Sequence, residues 1–386
     1  MQNEKVVMLQ EIGIQPAFVR DNIGLMLESV RKAVSTRKPG TLRNGFMIGC
    51  GDSYCAALAA RLYMTKAIGH LVEPVEALEF SRYLVDDLPE NSFVFGISNS
   101  GAVSRTIEGV RLSRERGAWT FAVTVSGDSN LGTAAETLIK VNATPNIKEQ
   151  ADGSRVITPG TITYTASMLG LYVAGIAIGE HIGHLNAEHA KALVAELQAL
   201  PDSMEKAAAA ADEIAKEIAD TFTMDRKTVI LGGGPNYATA YFGMAKWFEG
   251  ITRPCHVSEL EEWAHDHYFM TDEKTDTIIV LPPGAGNGRG LEQAWAARQM
   301  GSRVIIIGQE DDEAAKLASD AYFPMPKVSE VLSPFVYKVP FEYLSCYIAD
   351  KQNISFLNFN NPKRLEVNFK QIFNSAETTG GKLAAK

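Results

Sequence analysis

Residues 46–56, Phe46-Met-Ile-Gly-Cys-Gly-Asp-Ser-Tyr-Cys-Ala56, return at 229–240 as Val229-Ile-Leu-Gly-Gly-Gly-Pro-Asn-Tyr-Ala-Thr-Ala240. Gly49, Gly51 and Tyr54 fall on Gly232, Gly234 and Tyr237, an offset of 183. A second pair, Phe93–Ser104 against Thr277–Gly288, follows at an offset of 184. A register held over such a stretch implies two copies of one α/β unit. The copies differ in chemistry. The first loop carries Ser98, Asn99, Ser100 and Ser104; the second carries Pro282, Pro283, Gly284 and Gly286. One hydroxyl-bearing copy implies one anion site per chain, built by the first half.

Outward from these loops, short apolar strands alternate with amphipathic helices. The pattern predicts strands at 46–48, 71–75, 93–97, 119–125 and 137–141, with helices at 53–68, 76–84, 103–116 and 164–180. The second half predicts strands at 228–232, 277–281, 303–307 and 321–324, with helices at 236–250, 258–269, 287–300 and 334–350. Such alternation calls for α/β units, each a doubly wound parallel sheet of five strands covered by helices. The expected organisation is a helical arm (1–38), a first domain (39–184), a helical linker broken at Pro201 (185–224), a second domain (225–350) and a tail (351–386) whose end, Thr378 to Lys386, reads as disordered.

The chain has 386 residues, 46% of them hydrophobic and 22% charged, as in ordinary globular proteins. Its net charge of −9 argues against general nucleic-acid binding, which needs a basic face. It leaves room for an anionic ligand, because a local nest of backbone amides can hold phosphate in an acidic protein. Four cysteines (Cys50, Cys55, Cys255, Cys346) form neither a CxxC pair nor a disulfide framework, so free thiols in a reducing cytoplasm are expected and no metal. The first 30 residues mix charges throughout, unlike a signal peptide. The apolar run Ser167–Gly179 has the length of a core helix rather than a membrane span, so no membrane partner is expected.

Phe93 to Ile97 is an apolar strand, Ser98-Asn-Ser-Gly101 follows, and a helix begins near Val103. Doubly wound sheets bind ligands in such a loop, where free N–H groups and the helix dipole favour an anion. Helix capping by the same serines is the alternative. Gly49-Cys-Gly51-Asp-Ser-Tyr lacks the third glycine of the dinucleotide fingerprint, so no cofactor is expected.

Cys50-Gly-Asp-Ser-Tyr54 and Ser98-Asn-Ser-Gly101, duplicated as described, resemble the sugar isomerase (SIS) domain. Over roughly residues 40–366 the chain resembles the tandem-SIS group. That group includes fructosamine-6-phosphate deglycases and the isomerase half of glucosamine-6-phosphate synthase. The resemblance implies two SIS domains and a sugar phosphate held by Ser53, Ser98, Asn99 and Ser100, with Gly51 beside them. The family has a threonine where Val103 stands; Ser104 is adjacent and joins the candidate phosphate group.

The second signature runs from Met244-Ala-Lys-Trp-Phe-Glu249 to Glu262-Trp-Ala-His265. In the family, a glutamate matching Glu249 moves the proton between sugar C1 and C2. A histidine matching His265 assists ring opening and reaches in from the neighbouring subunit, so a homodimer with a shared site is implied. Glu262 matches the acidic residue before that histidine. Moving a proton α to a carbonyl needs a positioned base, and a buried carboxylate gains basicity. Ring opening needs an acid–base group near neutrality, which histidine supplies. A solvated helix face is the alternative for Glu249, and a structural or metal-binding role for His265. Thr158 and Thr161 lie where the family contacts the sugar, though capping of the next helix accounts for them equally. Arg289 and Asn287 could reach the amine portion of a substrate, or belong to a surface loop.

In the synthase tail a lysine forms a Schiff base; alignment on Pro362-Lys-Arg-Leu-Glu-Val367 puts Val367 there. Valine cannot form an imine, and no glutaminase domain accompanies these residues. The resemblance therefore implies a substrate that already contains its C–N bond: an Amadori-type 6-phosphofructosyl amine, cleaved to a hexose phosphate and an amine. An aldose–ketose isomerase, an amino-sugar-phosphate deaminase and a non-catalytic phosphosugar sensor are the alternatives.

Overall fold

A computed structural model describes residues 2–38, 42–143, 147–149 and 155–368. The expectation of disorder at 378–386 falls outside them.

Ten parallel strands form two sheets. The first contains β1 (Asn44–Gly49), β2 (Val72–Glu76), β3 (Ser92–Ile97), β4 (Trp119–Thr124) and β5 (Thr137–Lys140), in the order β2-β1-β3-β4-β5. A two-stranded antiparallel ribbon, β6 (Ile147–Glu149) and β7 (Arg155–Ile157), follows and was not expected. The second sheet contains β8 (Lys227–Gly232), β9 (His256–Glu259), β10 (Thr275–Leu281), β11 (Arg303–Gln309) and β12 (Ala321–Met325), in the order β12-β11-β10-β8-β9. Counted from the first strand of each half, both orders are the same. The central strands β3, β4 and β10 are buried along their whole length, as a parallel sheet covered on both faces requires.

Strand register corrects one expectation. Gly45 pairs with Phe93 in the first sheet and Thr228 with Asp276 in the second, each partner displaced by 183. The helices that follow start at Ser104 and Asn287, again 183 apart. The offset of 184 is therefore one residue too long. Gly101 and Ala102 stand opposite Gly284 and Ala285, and Ser104 opposite Asn287.

Three further expectations change. The stretch 258–269 is not one helix: β9 occupies its start, followed by a four-residue helix, Leu260–Trp263, and a single turn at His267–Met270. The Ala187–Thr221 helix is not broken at Pro201. Leu197, Leu200, Met204, Ala207, Ala211, Ala215 and Ile218 are all buried at helical spacing across the proline. Burial of that stripe offsets the roughly 3 kcal/mol cost of an interior proline. The apolar run near 167–179 extends to a 20-residue helix, Ile162–His181, long and apolar enough to cross a membrane. Its most apolar stretch is wholly buried in the fold, as in a core helix.

Tertiary contacts divide the chain into two compact units. One holds the first sheet and comprises residues 21–145, 163–196 and 359–386; the other holds the second sheet and comprises residues 1–20, 146–162 and 197–358. Each has its own core. Ile48, Phe80, Val94, Val110 and Leu131 pack in the first, and Val229, Leu231, Ile279, Leu281 and Trp263 in the second.

Candidate active site

In the unit with the first sheet, strand order reverses between β1 and β3. The two loops that leave the carboxyl ends of these strands carry the expected anion-binding residues. Gly51 caps the Asp52–Ile68 helix at φ 57° and ψ −129°. Gly234 caps the Pro235–Lys246 helix at φ 55° and ψ −131°, so the two copies repeat down to one backbone conformation. Only glycine takes that conformation without strain. Gly49 is required for another reason: a methyl there would meet the Ser53 backbone at 2.9 Å.

The β3 loop is braced from beneath. Ser98 N–H donates to the Val123 carbonyl at 3.1 Å, and the Asn99 carbonyl accepts from Val125 N–H at 3.1 Å. Gly101, at φ 65°, approaches the Ser129 side chain so closely that no Cβ fits. The helix that follows, Ser104–Glu115, has Val103 at its cap and no capping side chain. Ser98, Asn99 and Ser100 therefore do not cap it. Ser98 is 2% exposed, and its Oγ is buried with no hydrogen-bond partner. Asn99 Nδ2 is buried and unpartnered in the same way. Two unsatisfied polar groups lie in the loop that leads into a helix N-terminus, the kind of place where an anion is favoured. Ser100 is exposed, and its Oγ accepts from Ala102 N–H at 3.3 Å. Ser53 and Ser104 sit in the first turns of the two helices, partly exposed.

At the matching place in the second copy, Gly284 and Gly234 both face the Glu330 carboxylate, and a Cβ added to Gly284 would overlap it. The chain places its own carboxylate there.

The unit with the second sheet carries the proton-transfer candidates. Glu249 lies in a widened turn, Trp247–Ile251, that continues the Pro235–Lys246 helix and ends at Thr252 with φ 55°. Its side chain is 28% exposed and pairs with the Lys246 ammonium, which has no exposed surface. The ammonium fixes the carboxylate in place. Lys246 was missed from sequence; a lysine three residues before Glu249, in a turn otherwise apolar, was its signal. His265 follows the Leu260–Trp263 helix. It is 67% exposed, with Nε2 3.4 Å from Glu261 Oε1.

Arg289 does not present a free guanidinium. It grips both oxygens of Glu261, at 2.7 and 3.0 Å, and reaches Glu292 at 2.8 Å. Glu262 is exposed on the same short helix. Asn287 donates to the Pro282 carbonyl and to Asp312. Thr158 is buried and donates to Glu11 Oε2 at 2.6 Å, a structural bond rather than an open contact; Thr161 is buried beside it in sequence. All four cysteines are free, and no group of three or more metal-ligating side chains occurs among the described residues.

Comparison with known proteins fits this geometry. Residues 43–176 match the SIS domain family model. This stretch is a SIS domain. The chain is 26% identical over 362 residues to a glutamine–fructose-6-phosphate aminotransferase (isomerizing) of Gloeobacter violaceus, covering 93% of this chain and 57% of that protein. It thus spans little more than half the length of such relatives. Among solved structures it resembles the C-terminal domain of a glucosamine-fructose-6-phosphate aminotransferase from Francisella tularensis. The TM-score is 0.77 at 20% identity, over 90% of this chain and 97% of that one. A glucosamine-6-phosphate deaminase from Thermotoga maritima matches with a TM-score of 0.64 at 16% identity, over 90% and 95%. At these identities the structural likeness establishes the fold, and it extends across both sheets of the SIS-containing chain.

Proposed function

We propose that this chain is a phosphosugar-processing enzyme with tandem SIS domains, and that it cleaves 6-phosphofructosyl amines. The buried, unpartnered Ser98 hydroxyl and Asn99 amide carry this reading, because they supply donors for a phosphate where the sheet's strand order reverses. Ser53, Ser100 and Ser104 complete the cradle. His265 assists opening of the sugar ring. Glu249, held by Lys246, takes a proton from C1 of the ketosamine; the C1–C2 enaminol forms, and a proton returned to C2 leaves a C1 imine. Water adds to that imine, the C–N bond breaks, and the amine leaves with a proton while an aldose 6-phosphate remains. Val367, which cannot form a Schiff base, suits a substrate that brings its own nitrogen.

The test is incubation with a panel of fructosamine 6-phosphates and assay of glucose 6-phosphate. Glu249→Gln is expected to lose at least about a hundredfold in kcat, the usual weight of a general base. An equally active Glu249→Gln variant overturns the mechanism. Turnover confined to hexose 6-phosphates or to glucosamine 6-phosphate indicates the isomerase or deaminase reading, and binding with no turnover indicates a sensor. A homodimer with His265 acting across the interface belongs to the same reading; a fully active monomer by light scattering contradicts it.

A further inference from the structure

The Leu260–Trp263 helix is short, but its backbone continues into one further turn. There Ala264 N–H donates to the Glu261 carbonyl at 3.0 Å, and His265 N–H to the Glu262 carbonyl at 3.1 Å. Residues four apart on such a turn share a face. His265 Nε2 accordingly stands 3.4 Å from Glu261 Oε1. An exposed pair of this kind contributes little when alone, because two mobile side chains must be ordered to make it.

Here the carboxylate is already ordered. Arg289 holds it with two bonds, from Nε to Oε2 at 2.7 Å and from Nη2 to Oε1 at 3.0 Å. A guanidinium fork fixes the plane of a carboxylate as well as its distance. Arg289 is itself tied to Glu292 at 2.8 Å. Its helix, Asn287–Gln299, is fastened to the short helix by a second link: the buried Gln293 donates through Nε2 to the Leu260 carbonyl. From the other side, the Glu259 carboxylate caps the short helix and accepts from Glu261 N–H at 2.7 Å. The Arg289 bonds also hold the Glu261 carboxyl below its ordinary pKa, with a smaller contribution from His265.

An ionised carboxylate only accepts hydrogen bonds. The ring nitrogen that faces it, Nε2, is therefore the one that carries the proton of a neutral imidazole, and Nδ1 keeps the lone pair. We propose that Glu261, clamped by Arg289, is a positioning residue for His265: it holds the ring at Nε2 and leaves Nδ1 to the sugar. There Nδ1 accepts the proton of the C2 hydroxyl as the C2–O5 bond breaks, and returns it to O5. Arg289 thus serves the sugar through His265 rather than by touching it. This rests on the reading of His265 as the ring-opening group.

The test uses whole protein with isotope-labelled histidine, without substrate, at a pH where the histidines are neutral. Long-range proton–nitrogen NMR spectra, with His265→Asn to assign the ring, read the ratio of Nε2–H to Nδ1–H tautomers. That ratio is expected to exceed its value in the urea-unfolded chain by about threefold or more, the scale of one hydrogen bond. Glu261→Ala returns it to the unfolded value. Arg289→Lys, which keeps the charge but loses the fork, returns it part of the way. Neither side chain is buried, and a thermal melt checks that both variants fold. On the fructosamine 6-phosphate turned over best, Glu261→Ala is expected to lose about tenfold in kcat, with KM within about twofold. Glu261→Gln keeps an acceptor in place and recovers part of both effects. The loss in Glu261→Ala is smaller on the 5-deoxy analogue, which has no O5 and cannot close the ring. Equal tautomer ratios in wild type and Glu261→Ala overturn the proposal, and so do equal losses on the two substrates. If the ratio moves while His265→Asn stays fully active, the Glu261 contact stands and the reading of His265 falls.

Discussion

Ser98 carries a hydroxyl that the folded chain leaves unused, buried to 2% exposure and without a partner. Leaving such a group unmade costs about 1–3 kcal/mol, and a ligand that bonds it recovers the loss. Ser98→Ala is therefore expected to act in opposite directions on two observables. KM or Kd for a phosphosugar rises about 10- to 100-fold, the worth of a hydrogen bond to a charged group. The melting temperature holds or rises, because alanine removes an unsatisfied donor. Calorimetry and a thermal melt of the one variant check both; a lower melt with unchanged binding would make Ser98 a purely structural residue. Ser100, exposed and already bonded to Ala102 N–H, should show the smaller binding effect. At this scale sequence was informative about residue types and blind to partners. The serines, Glu249 and His265 stood out by motif. That Arg289 is held by Glu261 and Glu292, or that Thr158 is bound to Glu11, depends on side chains brought from elsewhere in the chain.

Both loops that open the two copies hinge on one glycine conformation. Gly51 and Gly234 agree within about two degrees in φ and ψ, and neither has a neighbour within 3.4 Å of where a Cβ would stand. Strain alone thus decides the effect of alanine, roughly 1–3 kcal/mol for a backbone region that only glycine occupies. Gly51→Ala and Gly234→Ala are expected to lower stability by similar amounts in urea melts. Only Gly51→Ala is expected to weaken phosphosugar binding as well, since Glu330 occupies the second loop's anion position. Equal loss of binding in both variants would mean that the second loop also takes substrate. Strands whose flanks are buried on both faces were read from their apolar runs almost to the residue. β9 was not, because His256-Val-Ser-Glu259 holds one large apolar side chain and owes its strand to pairing with β8. The widened turn at Trp247–Ile251 had no sequence signal either, although it sets where Glu249 points.

Across the whole chain, the repeat was legible because folding preserves spacing: the strand starts and helix starts that frame both loops stand 183 apart. The buried cluster of Gln15, Lys338 and Glu342 was not legible, since its members are spread through more than 300 positions and meet only in the folded core. Titration of the fold as a whole follows from such encounters. His267 lies with its ring 5.8 Å from His256, and its Nδ1 is buried without a partner. Burial and the second imidazole hold its pKa below the ordinary histidine value, against a smaller opposing pull from Asp266. Folded chains then bind this proton more weakly than unfolded ones. As pH falls through the ordinary histidine range, the unfolded chain takes up a proton that the folded chain refuses, so unfolding is favoured. The melting temperature is expected to fall between about pH 7 and 5, and to fall less in His267→Asn, whose side chain does not titrate there. His256→Asn should recover part of the same difference by removing the repulsion. Identical pH slopes in the wild type and His267→Asn would show that His267 binds its proton equally in both states.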